Sequence, residues 1–120
     1  MAGDFRDLKV WQKARALAVD VYGVTRRSDI LKDYVFCDQM RRAVLSIVSN
    51  IAEGNDRSGG VDSARFFGMA KGSCAELHAQ AILAHDVGYL DDKDLAAIEQ
   101  QCSEIARMLS GLMKARRAHP

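Results

Sequence analysis

The sequence predicts an all-α protein, an antiparallel up-and-down four-helix bundle formed by a single domain that covers residues 1–120. Three observations support this prediction. Apolar residues recur at steps of three and four along four separate segments, which is the spacing of one helix face. The only proline is the last residue, Pro120, so no proline interrupts a helix. No segment shows the alternation of apolar and polar residues that is typical of a half-buried strand.

The composition is ordinary for a globular protein of this size, with 48% hydrophobic and 28% charged residues. The net charge of +1 gives no overall attraction to nucleic acid or to an anionic membrane, so such binding would need local clustering of charge. Three widely spaced cysteines predict no disulfide framework. Because there is also no apolar signal core and no membrane span, we expect a cytoplasmic protein without a membrane partner.

The first predicted helix covers residues 5–25 and the second covers residues 34–55. The apolar stripe of the first consists of Leu8, Trp11, Ala14, Ala18, Val21 and Thr25. That of the second consists of Phe36, Met40, Ala43, Ile47 and Ile51. Asp29 and Asp33 are the candidate N-caps of the second helix. Gly54 follows its last apolar position, which predicts a helix C terminus.

The third predicted helix covers residues 62–87 and the fourth covers residues 92–116. Asp62 or Ser63 is the candidate N-cap of the third, and Gly88 ends it. Its stripe consists of Phe66, Ala70, Cys74, Leu77, Ala81 and Ala84. The fourth helix, with Asp91 as candidate N-cap, has the most regular stripe, which is the seam of a left-handed helix pair. That stripe consists of Leu95, Ile98, Cys102, Ile105, Leu109 and Leu112.

Polar rows accompany the apolar stripes of the second and third helices. They consist of Gln39, Arg42, Ser46, Asn50 and Glu53 on the second helix, and Gly72, Ser73, Glu76 and Gln80 on the third. A glycine inside a helix costs about 1 kcal/mol relative to alanine, which suggests that a neighbouring group needs the space at Gly72. Three interpretations stay open, namely a helix or subunit contact specified by hydrogen bonds, a nucleic-acid-binding face, and a solvated surface.

Basic residues form local clusters, namely Arg26 with Arg27, Arg41 with Arg42, then Arg57, Arg65 and Lys71, and the C-terminal Lys114, Arg116 and Arg117. The candidate nucleic-acid-binding residues are Arg41, Arg42, Arg57, Arg65 and Lys71. Because acidic residues lie between them, a single chain has no strong basic stripe, but a ring of subunits would repeat each cluster and concentrate its potential. Binding would then be to phosphates and sensitive to salt. The alternative is that these side chains are ordinary solvated arginines.

The sequence contains no pattern that predicts catalysis, a metal site or a cofactor. SGGVDS lacks the lysine and the spacing of a phosphate-binding loop. Cys74 and His78 are four residues apart, but a di-iron bundle needs Glu-x-x-His on two helices, and Cys74 belongs to an apolar stripe. We therefore expect a protein that is not an enzyme.

Three segments resemble the family of 23S rRNA intervening-sequence proteins, namely LKVWQKARALAVDVYGVT, QMRRAVLSIVSNIAEG, and FFGMAKGSCAELHAQ with the following VGYL. The most specific part consists of Arg41, Arg42, Ser46, Ile47, Asn50, Ile51, Ala52, Glu53 and Gly54. The resemblance implies a short antiparallel bundle, assembly into a homopentameric ring and no enzyme activity. It also implies similarity in fold to the accessory proteins of diversity-generating retroelements, which bind nucleic acid and a reverse transcriptase.

Two hypotheses on function follow. In the first, a small ring binds structured RNA or single-stranded nucleic acid through the five basic residues named above. In the second, the chain is a protein-interaction or scaffolding module with no role in nucleic-acid binding. In both, the candidate oligomer or partner interface consists of Gln39, Ser46, Asn50, Glu53, Gly72, Ser73 and Glu76.

Overall fold

The computed structural model describes residues 3–119, except for the side chain of Ser28, and all its regular elements in that range are helical. They are a 3-10 turn at Phe5–Asp7 and the helices α1 Lys9–Thr25, α2 Ser28–Lys32, α3 Tyr34–Asp56, α4 Gly60–Asp86 and α5 Asp92–Ala118. The connections between α3, α4 and α5 are short, so these long helices run antiparallel. Helix α3 packs on α4 and α4 on α5, while α1 contacts both α3 and α5. The predicted all-α class is confirmed.

Two elements differ from the prediction at the N-terminal end. The segment at residues 28–32 forms the short helix α2, whose Ile30 is buried in the core. A helix of five residues is too short to produce a recognisable period. The first long helix begins at Lys9 rather than at residue 5, because Leu8 has an extended backbone and separates it from the 3-10 turn.

Most predicted stripe residues of α3 and α5 are buried, with Phe36, Leu95 and Leu112 partly buried, but the stripes of α1 and α4 differ more from the prediction. On α1 the buried apolar face consists of Val10, Ala14, Leu17, Val21 and Val24. Leu8, Trp11 and Ala18 are only partly buried, so the predicted stripe was rotated by about one residue. On α4, Phe67 is fully buried in place of Phe66, which is half-buried.

The helix caps confirm two predictions and correct one. Asp33 accepts a hydrogen bond from the backbone N–H of Phe36 (3.1 Å), and Asp91 accepts one from that of Asp94 (2.7 Å). Helix α4 has no side-chain cap. Instead Ser63 donates from Oγ to the Gly54 carbonyl (2.6 Å), which ties the start of α4 to the end of α3.

Two glycines have different structural roles. Gly88 has φ +88°, a left-handed conformation that ends α4 as predicted. Gly54 was predicted to end the second long helix, but it lies within α3, which continues to Asp56. A Cβ atom at Gly54 would lie 2.7 Å from Cε1 of Phe67. This glycine therefore allows the Phe67 ring to approach the α3 backbone.

The junction of α4 and α5 contains an acid-base pair that makes stability depend on pH. Nε2 of His85 lies 2.6 Å from Oδ1 of Asp92, and this hydrogen bond raises the pKa of His85 above its usual 6.5. Since the folded state holds the proton more tightly, the stabilisation is fully present below pH 6.5 and is lost as pH rises through the folded pKa.

We expect the His85→Gln substitution to destabilise the protein at about pH 6 and to have a smaller effect at about pH 8.5. Urea unfolding of both proteins, followed by circular dichroism at the two pH values, measures this difference. A substitution effect that is equal at both pH values would contradict the assignment.

None of the helices between residues 3 and 119 combines the length and apolarity that a membrane span requires. The core is made by side chains of all five helices and by Leu90 in the connection between α4 and α5.

Candidate interaction surfaces

The two predicted polar rows meet at one hydrogen-bonded network between α3 and α4. Asn50 donates from Nδ2 to the Ser46 carbonyl (2.9 Å) and to Ser46 Oγ (3.0 Å). Ser73 donates from Oγ to Ser46 Oγ (2.8 Å) across the two helices. All three side chains are half-buried, so this Ser46–Asn50–Ser73 network links the helices within a chain and also reaches its surface.

The other members of the polar rows lie outside this network. Arg42 forms an ion pair with Asp38 (2.7 Å), and Glu53 forms one with Arg57 (2.6 Å), both along α3 and its C-terminal turn. Gln39 and Glu76 are exposed, and Gln80 is half-buried.

Gly72 is also exposed, and a Cβ atom added there would meet no atom within 4 Å. The prediction that a neighbouring group needs this space is therefore wrong within the chain itself.

Exposed apolar side chains share the side of α3 and α4 that carries the Ser46–Asn50–Ser73 network. Met69 lies one turn from Ser73, and the others lie beyond polar residues of the two rows. Val35 lies three helical turns before Ser46 on α3, while Met69, Leu83 and Val87 follow the side of α4 that carries Ser73. Their exposed fractions are 74% for Val35, 46% for Met69, 53% for Leu83 and 54% for Val87. Single exposed apolar residues are normal, but several along one surface indicate a contact. We call this surface, together with the network, the α3–α4 face.

Arg41 does not lie on the α3–α4 face. It is half-buried on the opposite side of α3, where its Nε donates to Thr25 Oγ1 (2.9 Å). Its guanidinium also lies 4.6 Å from the ring centre of Tyr22. Both contacts are with α1, so Arg41 holds α1 against α3, whereas its neighbour Arg42 is exposed.

Arg57 and Arg65 are the two candidate basic residues that the fold brings together. Their guanidinium groups lie 4.4 Å and 4.7 Å from the ring centre of Phe66. Asp62 pairs with both arginines, at 3.7 Å from Arg57 and 2.9 Å from Arg65, and Glu53 pairs with Arg57. The cluster is therefore close to electrically neutral. Phe66 was interpreted as a core residue, but it is half-buried and contacts both arginines.

Lys71, the fifth candidate, lies on the α5 side of α4. It borders a groove of about 260 Å³ that is also lined by Cys74, Ala75, His78, Cys102, Ser103 and Ala106. The structure thus distributes the five candidate basic residues over several parts of the surface. The helix period directs the adjacent Arg41 and Arg42 to different sides of α3, and Lys71 lies on α4.

The cysteines and histidines near this groove are engaged in packing and in hydrogen bonds. Burial raises the pKa of Cys74 to about 11 and that of Cys102 to about 12, so both remain thiols at neutral pH. His78 Nε2 lies 2.7 Å from Glu99 Oε2. Within residues 3–119 no three His, Cys, Asp or Glu side chains are placed to hold a metal ion.

The fold and these surfaces define the class of protein. It is a small all-α bundle with its polar network and most of its basic residues on the outer sides of the helices. A family model of the 23S rRNA-intervening sequence protein matches residues 6–111. The chain therefore belongs to this family, which confirms the resemblance seen in the sequence.

A solved structure has the same fold. It is the crystal structure, at 1.70 Å resolution, of a protein of unknown function from the S23 ribosomal protein family of Bacteroides thetaiotaomicron. It superposes with a TM-score of 0.79 at 22% sequence identity and covers 88% of this chain and 98% of its own. None of the curated proteins matches this chain. At this identity the likeness establishes the fold alone.

Proposed function

We propose that the protein is a non-enzymatic, cytoplasmic helical bundle that assembles with copies of itself into a ring and binds RNA or single-stranded nucleic acid. The observation that carries the proposal is the α3–α4 face, where exposed apolar side chains share one surface with the half-buried Ser46–Asn50–Ser73 network. Five subunits are the number that the family resemblance implies.

The α3–α4 face combines the two properties that a specific subunit contact needs. Its apolar side chains, such as Leu83 and Val35, would each contribute roughly 1 kcal/mol on burial of their exposed part. The Ser46–Asn50–Ser73 network supplies polar groups in fixed positions, and such groups specify register and partner number. Gly72 on the same outer side leaves space for a neighbouring helix.

Assembly supports nucleic-acid binding because it repeats each unpaired cation in every subunit. Among the candidate residues, Arg42, Arg57 and Arg65 have carboxylate partners within the chain and Arg41 is engaged by α1. Lys71 has no ion pair in the described part of the chain, so it is the candidate whose charge is most available. Binding would depend on phosphates and would weaken as salt rises.

Charge insertion into the α3–α4 face tests the proposed assembly. We expect the double substitution Met69→Glu/Leu83→Glu to reduce the mass in solution to the 13.2 kDa of one chain, because unpaired carboxylates would be buried in the contact. Sedimentation velocity measures that mass. Val19→Glu is the matched control, since Val19 is an exposed apolar residue of α1 outside the face. A double variant that sediments like the wild-type oligomer would rule out this face as the contact.

The second candidate function is an interaction module for a different protein. The same exposed apolar side chains of the α3–α4 face favour it, because they would suit a partner helix as well as another subunit. A wild-type protein that is monomeric at all concentrations would favour this alternative over the ring.

A further inference from the structure

Two segments at the end of the α4–α5 hairpin formed by the first part of α4 and the last part of α5 carry lysines and arginines but no acidic residues. The segments at residues 63–75 and 105–118 pack against each other, as a Cβ atom at Gly68 would lie 3.2 Å from Cε of Met113. These two segments contain six lysines and arginines and no aspartate or glutamate, in a chain whose net charge is +1. The six are Arg65, Lys71, Arg107, Lys114, Arg116 and Arg117.

Two of these six side chains are engaged within the chain. Arg65 pairs with Asp62. Arg116 donates from Nη1 to Ser63 Oγ (2.9 Å), and its guanidinium lies 5.3 Å from the ring centre of Phe67. The other four are exposed and form no ion pair within the described residues. We call these four, Lys71, Arg107, Lys114 and Arg117, the cationic strip.

One member of the cationic strip lines the α4–α5 groove, and the other three follow α5 from its edge toward the C-terminal end. Lys71 borders the groove opposite Ser103, and Arg107 donates from Nη1 to Ser103 Oγ (3.2 Å). Lys114 and Arg117 follow Arg107 by seven and ten residues, which places them on the same side of α5. The strip therefore extends about 15 Å along α5 at 1.5 Å per residue.

The carboxylates near the groove have partners of their own. Glu99 is bonded to His78, and Glu104 forms an ion pair with Lys13 of α1, although it also interacts electrostatically with Arg107. The walls of the groove carry small side chains, including Ala75 and Ala106, so an extended backbone can approach the cations closely.

We propose that the cationic strip is the surface that binds the phosphodiester backbone of nucleic acid, an inference that rests on the proposed nucleic-acid binding. The occupant is a polyanion because the strip presents four exposed cations that form no ion pair within the described residues. No Phe, Tyr or Trp lines the groove, and its one imidazole, His78, is bonded to Glu99, so binding uses mainly phosphates and depends little on sequence. Arg57 and Arg65 are poorer candidates, since Glu53 and Asp62 would repel a phosphate there.

Fluorescence anisotropy with labelled single-stranded RNA and DNA of about 20 nucleotides and mixed sequence tests this inference. The strip variant is Arg107→Gln/Lys114→Gln/Arg117→Gln. The control variant is Arg26→Gln/Lys32→Gln/Lys93→Gln. It removes three exposed cations at the opposite end of the bundle that form no ion pair with any residue the structure describes. Both variants lower the net charge by three and introduce good helix formers, and thermal unfolding checks that both fold.

We expect the strip variant to bind at least about 10-fold more weakly than the wild type in low salt, and the control variant to bind within about 2-fold of it. Loss of three phosphate contacts would also make the slope of log affinity against log salt shallower by about 2. Arg107→Lys/Arg117→Lys, which keeps the charge, would retain the wild-type affinity. All three results together would support the cationic strip as the phosphate-binding surface.

Two other outcomes are distinguishable. Binding by the wild type that falls equally in both variants, or that falls only on substitution of Arg42, Arg57 and Arg65, would overturn the strip and leave the proposed nucleic-acid binding intact. Absence of binding by the wild type at low salt would overturn both.

Discussion

Replacement of Gly54 by alanine is expected to lower the free energy of unfolding by about 3 kcal/mol. The added Cβ atom would lie 2.7 Å and 2.8 Å from two ring carbons of Phe67 and 3.2 Å from the Ser63 carbonyl. The Phe67 side chain is fully buried, so its ring has no free space to move into. Urea unfolding followed by circular dichroism measures the loss.

Gly72→Ala is the matched control for Gly54→Ala, since both glycines lie inside long helices. Nothing within 4 Å would meet the new Cβ atom at Gly72, so alanine should raise the stability of the isolated chain by about 1 kcal/mol. If Gly72 faces another subunit, the same substitution would weaken assembly instead. Gly54→Ala with wild-type stability would contradict the packing of Phe67 against α3. Both variants are compared at one protein concentration because assembly shifts apparent stability.

Replacement of Arg41 by alanine is expected to lower the free energy of unfolding by about 2 kcal/mol, because a charged hydrogen bond to Thr25 and a cation–π contact with Tyr22 are lost. Arg42→Ala is the matched control. Its ion pair with Asp38 is exposed on both sides and should contribute less than about 0.5 kcal/mol. Comparison of the two variants thus distinguishes an arginine that holds two helices together from one whose charge is solvated.

The Arg41→Ala and Arg42→Ala variants also test whether these arginines of α3 stabilise the fold or bind nucleic acid. We expect neither substitution to abolish oligonucleotide binding of protein that is still folded. Equal destabilisation by Arg41→Ala and Arg42→Ala in chemical unfolding would contradict the assigned role of Arg41.

The boundaries of α3, α4 and α5 were predicted to within about two residues. Local signals mark them, namely the caps Asp33 and Asp91 and the left-handed Gly88. Residues 28–32 were missed because five residues cannot show a helical period. The local pattern was sufficient wherever a helix was long and its ends carried such signals.

The choice between Phe66 and Phe67 could not be made from local sequence. Both have apolar neighbours at helical spacing, and the outcome depends on Gly54, which is distant in sequence and leaves room for one ring. The rotation of the α1 stripe has a similar cause, since α1 contacts both α3 and α5 and its buried face lies between them. Such choices depend on tertiary contacts.

The candidate surfaces were predicted in part. The sequence placed Ser46, Asn50 and Ser73 on rows that the fold brings into one network. It did not show that Arg57 and Arg65 share Asp62, because the connection between α3 and α4 determines that contact. Arg107 was overlooked, although its spacing from Lys114 and Arg117 was visible in the sequence.

Native mass spectrometry of the wild-type protein, with and without a single-stranded RNA of about 20 nucleotides, tests the central claim most directly. The account predicts an oligomer whose mass is an integer multiple of 13.2 kDa and a second species heavier by one RNA at low ionic strength. A single species at 13.2 kDa that is unchanged by RNA would contradict both the assembly and the nucleic-acid binding.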